Sequence, residues 1–177
     1  GWTALMWAAD NGHAATVTAL LAAPGLDVNA ADGDGQTALM LAAVEGHAET
    51  VTALLAAPGL DVNAADRYGQ AALMLAADRG HAETVTALLA APGLDVNAAT
   101  RSNGWSAFMR AASGGHTEMV TALLAAPGLE VNAANDGGWT ALMWAADNGH
   151  AATVTALLAA PGLDVNAADR DGWTALM

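Results

Sequence analysis

The chain is 177 residues long, with 18 acidic against 5 basic side chains, a formal net charge of −13, no cysteine and 54% apolar residues. So much apolar content excludes a disordered chain, the lack of cysteine excludes a disulfide scaffold or a thiolate zinc site, and the negative charge excludes nucleic acid, whose phosphates would be repelled. No apolar run approaches the roughly 18 residues that cross a bilayer, because prolines, glycines and aspartates interrupt each one, so no membrane segment is expected.

Taken in chain order, Thr3-Ala4-Leu5-Met6 returns as Thr37 to Met40, Ala71 to Met74, Ser106 to Met109, Thr140 to Met143 and Thr174 to Met177. The starts are 34, 34, 35, 34 and 34 residues apart, and the extra residue lies in Arg101-Ser102-Asn103. A fixed period in this range is the signature of a solenoid or similar array. Two further blocks keep the same register. Gly-His recurs at Gly12, Gly46, Gly80, Gly115 and Gly149, and Pro-Gly-Leu-Asp-Val-Asn at Pro24, Pro58, Pro92 and Pro161, with Glu130 replacing Asp in the copy from Pro127. Residues 1–177 therefore read as a single array, with units starting near Gly1, Gly35, Gly69, Gly104 and Gly138 and a partial unit from Gly172.

Within the second unit, Thr37 stands where an N-cap hydroxyl belongs, ahead of a helix whose apolar stripe is Leu39, Ala42 and Ala43 at i, i+3, i+4. Gly46 supplies the left-handed residue that ends it. A second helix runs from about Ala48 to Ala57, with Val51, Leu54 and Leu55 on its stripe, and Pro58-Gly59 stops it. Leu60 to Gly69, rich in Asp, Asn and Gly, reads as an extended finger with a tight turn. Helices of about 8–10 residues are marginal alone, so stability has to come from stacking each unit on its neighbour.

These blocks resemble the ankyrin repeat, whose pattern D-x-x-G-x-T-P-L-H-x-A-A, then G-H, L-L and G-A-D-V-N-A, is matched by Asp32 to Met40, Gly46-His47, Leu54-Leu55 and Asp61 to Ala64. The resemblance implies an all-α repeat solenoid: stacked antiparallel helix pairs with β-turn fingers and a curved stack with a concave binding face. Two departures stand out. T-P-L-H becomes T-A-L-M, losing a proline and a hydrogen-bonding histidine while methionine fills the space. The connector Ala57 to Leu60 is one residue longer than the family's, predicting an enlarged loop after the second helix. Ala71 replaces the hydroxyl cap, which marks unit three as locally weak. Gly1 to Met6 is identical to Gly172 to Met177, and neither end shows a polar capping unit. The sequence thus reads as a piece of a longer array, with head-to-tail stacking of uncapped ends as the alternative.

Catalytic and metal chemistry find no support. Equivalent histidines in stacked units lie about 8–10 Å apart, too far to share a zinc ion that bonds nitrogen at about 2 Å. The stretch from Asp27 lacks both the Gly at position six and the Glu at position twelve of a calcium loop. No serine sits in a G-x-S-x-G elbow, and without lysine there is no phosphate-binding P-loop. No cofactor is expected.

Function should lie where the units differ. All six tryptophans, the one tyrosine and the arginines fall at variable positions, and these residue types dominate interface hot spots. The candidate partner-binding residues are Trp2, Trp7, Arg67, Tyr68, Arg79, Arg101, Trp105, Arg110, Trp139, Trp144 and Trp173. Four of the six tryptophans share one position of the repeat, so a framework role in packing across fingers stays open for them. Unit four is the outlier, with its inserted residue, Phe108 for Leu and Arg110 for an apolar residue, whereas residues 1–32 and 138–169 are identical. The leading reading is a non-enzymatic scaffold that binds a protein or peptide, of basic charge, on the concave face, read mainly by units three and four. A self-associating array and the recognition arm of a larger enzyme remain as alternatives.

Overall fold

A computed structural model describes residues 1–177 as ten short helices. They are α1 (Ala4–Asp10), α2 (Ala14–Leu21), α3 (Ala38–Val44), α4 (Ala48–Leu55), α5 (Ala72–Arg79), α6 (Ala82–Leu89), α7 (Ala107–Ser113), α8 (Thr117–Leu124), α9 (Ala141–Asp147) and α10 (Ala151–Leu158). Odd-numbered helices pack in one row and even-numbered helices in a second, each unit's pair closing on itself and on the next unit. Between pairs, the finger strands meet only through isolated antiparallel bridges such as Ala31 to Thr37 and Ala99 to Ser106. The architecture is an all-α repeat solenoid, and no helix is long and apolar enough to cross a membrane.

The caps explain where the first helices start. Thr3, Thr37, Ser106 and Thr140 are extended, and each side-chain oxygen accepts from the N–H three residues on. The methionine that replaces the family's histidine recovers part of the lost reciprocal bond: the Sδ atoms of Met6 and Met143 accept from the N–H of Thr3 and Thr140 at 3.4 and 3.5 Å. Ala71 has the same extended backbone, φ −95° and ψ 165°, but no side chain to cap with. Ala71→Thr is therefore expected to raise stability by about 1 kcal/mol, read as a shift in the urea midpoint, because Thr37 already fits the equivalent buried site. The second helices end at Leu55 and its equivalents, two residues earlier than the apolar run suggests, where the next residues tighten into a turn. Residues 174–177 form a single turn closed by Met177 N–H to Thr174 O at 3.2 Å rather than the start of a helix.

One continuous core of 36 buried residues threads units one to five. Leu39, Met40, Met74, Phe108 and Leu142 come from the first helices, with Val51, Leu54, Val85, Leu88, Leu123 and Leu157 from the second. Thr50 and Thr84 are fully buried in the row of second helices, and their hydroxyls have no partner. Unit four has Met119 at that position, and Thr153 is satisfied only because Thr117, unique to unit four, meets its hydroxyl at 2.8 Å. An orphaned buried hydroxyl costs about 1–3 kcal/mol. Thr84→Val is thus expected to stabilise the chain by roughly 1 kcal/mol, while Thr153→Val, which removes a made hydrogen bond to Thr117, gives no such gain; equal shifts in thermal melts would contradict this.

Three ladders stitch the units together. Ring Nε2 of His47, His81 and His150 bonds the carbonyl oxygens of Asp10, Val44 and Ser113 in the preceding unit at 2.9–3.0 Å. A carbonyl only accepts, so Nε2 carries the proton. Four of the five connector asparagines make a two-pronged bridge: Asn29 donates to Gly59 O at 2.7 Å and accepts from Asp61 N–H at 2.8 Å, and Asn63, Asn97 and Asn132 repeat this in the units that follow. At the fingertips, the N–H groups of Arg67, Arg101, Asp136 and Arg170 donate to the carbonyls of Asp34, Tyr68, Asn103 and Gly137.

Candidate functional site

The fingers are rigid platforms because a short polar side chain closes each tip. Asp32 Oδ1 accepts from the N–H of Asp34 and Gln36, and Asp66, Asn135 and Asp169 do the same two and four residues on. In unit four, Thr100 takes this role with one bond, to Trp105 N–H at 2.9 Å, and the inserted residue is absorbed in the tip. The Gln36 N–H holds the Asp32 carboxyl below its ordinary range, opposed by partial burial and assisted by the N–H of Asp34 and the indole of Trp2.

The variable fourth residue of each first helix is, in order, Trp7, Leu41, Leu75, Arg110 and Trp144; the two leucines are buried, and the other three meet a finger tryptophan. In unit one, Trp2 and Trp7 lie 4.5 Å apart between ring centroids, and Trp7 remains 58% exposed. In units four and five, a larger cluster forms: Trp144 packs 4.4 Å from Trp105 of the preceding finger and 4.5 Å from Trp139 of its own. Trp139 and Trp144 pack into a seam between units and are half-buried. Trp7 and Trp173 instead stand exposed.

Arg110 caps this cluster. Its guanidinium carbon lies 5.9 Å over the Trp105 ring, and Nη1 reaches Asp78 Oδ1 of unit three at 2.7 Å. Its side chain is only 14% exposed, so it is packed rather than free, and the substitution that broke the repeat pattern has acquired an internal partner. Arg67 is paired too, with Asp34 and with the Tyr68 ring, whose hydroxyl accepts from Nη2 at 2.6 Å and raises the guanidinium pKa further. Tyr68 itself is 53% exposed. Arg101 lies across the buried Gly69, where a Cβ would sit 2.8 Å from its Cγ, and makes one long bond to Asp66 O. Arg79, exposed in the last turn of α5, has no acidic partner.

The structure thus gathers Trp105, Arg110, Trp139 and Trp144 into one cluster, leaves Tyr68, Arg67, Arg79 and Arg101 exposed on unit three and the finger that follows it, and sets Trp2 with Trp7 and Trp173 at opposite ends. Asp78 and Asn103 were not singled out from the sequence, yet they line a cleft of about 350 Å³ with Trp105, Arg110, Ser113 and Gly114. The signal for Asp78 was its place in the variable pair before Gly-His. A second cleft, about 400 Å³, lies beside Trp139, Met143, Trp173 and Met177. No three histidine or acidic side chains converge as a metal site would require.

A family model for ankyrin repeats, in three copies, matches residues 5–100 and again 73–169. No curated protein matches the sequence.

Proposed function

The chain belongs to the ankyrin repeat family, whose members are generally protein–protein interaction modules, and from that premise we propose that it is a non-enzymatic scaffold that binds a protein or peptide on its concave face. The observation carrying this reading is the placement of exposed and half-buried Trp, Tyr and Arg side chains along the fingers and first helices of units three to five, where hot-spot chemistry meets a preformed surface. The surrounding charge of −13 steers partners that are basic overall.

Tyr68→Ala tests the placement, because an exposed side chain can be removed without opening the core. Peptides selected from a displayed library on the wild-type chain are expected to bind the variant at least about tenfold more weakly, with an unchanged melting curve and with affinity falling as salt rises. Peptides indifferent to Tyr68→Ala but sensitive to Glu83→Ala on the outer face of α6 would place the interface elsewhere.

A second reading is favoured by one feature. Trp173 and Met177 are exposed and line the larger cleft, and exposed apolar side chains gathered in this way mark an association surface. On that reading a second copy covers it, and light scattering shows mass rising with concentration.

A further inference from the structure

We propose that the cleft between α5 and α7 is a receptor for one carboxylate, presented by an Asp or Glu side chain of the bound partner, with Arg110 as the anchor and Trp105, which Trp144 backs from behind, as the wall. This rests on the scaffold reading above and names the chemistry at the centre of its surface.

The cluster has donors without acceptors. Of the five N–H groups on the Arg110 guanidinium, one is used on Asp78, and Nε is buried with no partner. Trp144 Nε1 is buried and unpartnered in the same way, its ring 4.4 Å from Trp105. Folded proteins satisfy nearly all such groups, so two orphans in one cluster require a reason. Asn103 also lines the cleft, with its Oδ1 already occupied by the Thr100 hydroxyl at 2.6 Å. A carboxylate supplies two acceptor oxygens in the planar geometry that a guanidinium matches. A cationic side chain would satisfy none of these donors and would meet the Arg110 charge.

The free protein shows the intended contact in miniature. Asp78 is half exposed, at 51%, and holds Arg110 through a single nitrogen, so the anchor rests on an internal carboxylate that water can reach. A partner's carboxylate that displaces it gains the bidentate contact Asp78 does not make. The charge pattern agrees: residues 67–110 hold four arginines against three acidic residues, whereas the other 133 residues hold fifteen acidic residues and one arginine. An anionic group is repelled by the rest of the chain and tolerated here. The partner therefore carries one acidic anchor within a segment that is basic overall.

The test uses blocked aspartate (acetylated and amidated) as the probe, with blocked asparagine and blocked lysine as controls, followed by nitrogen–proton NMR of the six tryptophan indoles. Blocked aspartate is expected to shift the indole signals of Trp105 and Trp144 but not those of Trp2 and Trp7. Arg110→Gln should weaken that response at least about tenfold. Asp78→Asn, a change at an exposed position that leaves folding intact, should strengthen it about threefold or more by freeing the anchor. An equal response to asparagine or lysine, or a weaker response in Asp78→Asn, overturns the proposal. If no indole moves while library peptides still bind in a Tyr68-dependent manner, the carboxylate anchor falls and the scaffold reading stands.

Discussion

Gly46→Ala is expected to destabilise the chain by about 2–4 kcal/mol, a large fraction of the stability of a small array. Gly46 has φ +77°, a left-handed conformation that costs a residue with a Cβ about 1–2 kcal/mol. The new methyl carbon would also lie 2.5 Å from Nδ1 of His81, so the ring has to swing away. That movement breaks the 3.0 Å bond from Nε2 to Val44 O and leaves the carbonyl at the end of α3 without it, a further loss of about 0.5–1.5 kcal/mol. Gly59→Ala is the control, because its φ of +78° is nearly the same but the space around it is open. Urea denaturation should show the Gly59 variant losing only the backbone part. Equal losses would mean that the histidine clasp contributes nothing to the junction of units two and three. Because coupling in such arrays is between neighbours, hydrogen exchange in the Gly46 variant should rise first at α3 to α6.

Arg110→Leu is expected to have opposite effects on stability and on binding. Leu41 and Leu75 fill the same position of the units before it and are buried, so the substitution restores the apolar row. It removes the buried, unpartnered Nε and leaves Asp78 half exposed, where water satisfies it. Replacing a buried ion pair by well-packed apolar residues is often stabilising by 1–4 kcal/mol, and about 1–2 kcal/mol is expected here given the partial exposure of Asp78. Binding of the carboxylate probe should be lost altogether. Gained stability with lost binding is the signature of a site maintained for function at the expense of packing. If stability rises and peptide binding is untouched, Arg110 is instead an eroded framework position.

Much of this molecule was legible in one dimension. The period, the helix pairs, the Thr caps, the glycines after the first helices and the Asp-closed finger turns all depend on residues within a few positions of one another. Local backbone geometry and short-range hydrogen bonds decide those features, so the residue types at fixed spacing were enough. The same reasoning placed the variable Trp, Tyr and Arg side chains on the finger and first-helix positions, because a repeat places equivalent residues on equivalent surfaces.

Stacking alone decided what those residues touch. His47, His81 and His150 stand at helix starts and also clasp a carbonyl 37 positions earlier, which only the neighbouring unit supplies. Asn29 and its successors bind the next connector about 30 residues on, in addition to any local turn. Arg110 is, in the sequence, only a substitution for an apolar residue of the repeat; Asp78 of the preceding unit and the Trp105 finger give it partners once the units stack. The tryptophans separate into packed and exposed members only according to whether a neighbouring finger lies against them, and identical 32-residue segments give an exposed Trp7 and a covered Trp144. Sequence determines the unit, because a helix start, a turn and a cap are contests among adjacent atoms. Burial, pairing and orphaned donors are properties of the space between units, which exists only once each unit has a neighbour to lean on.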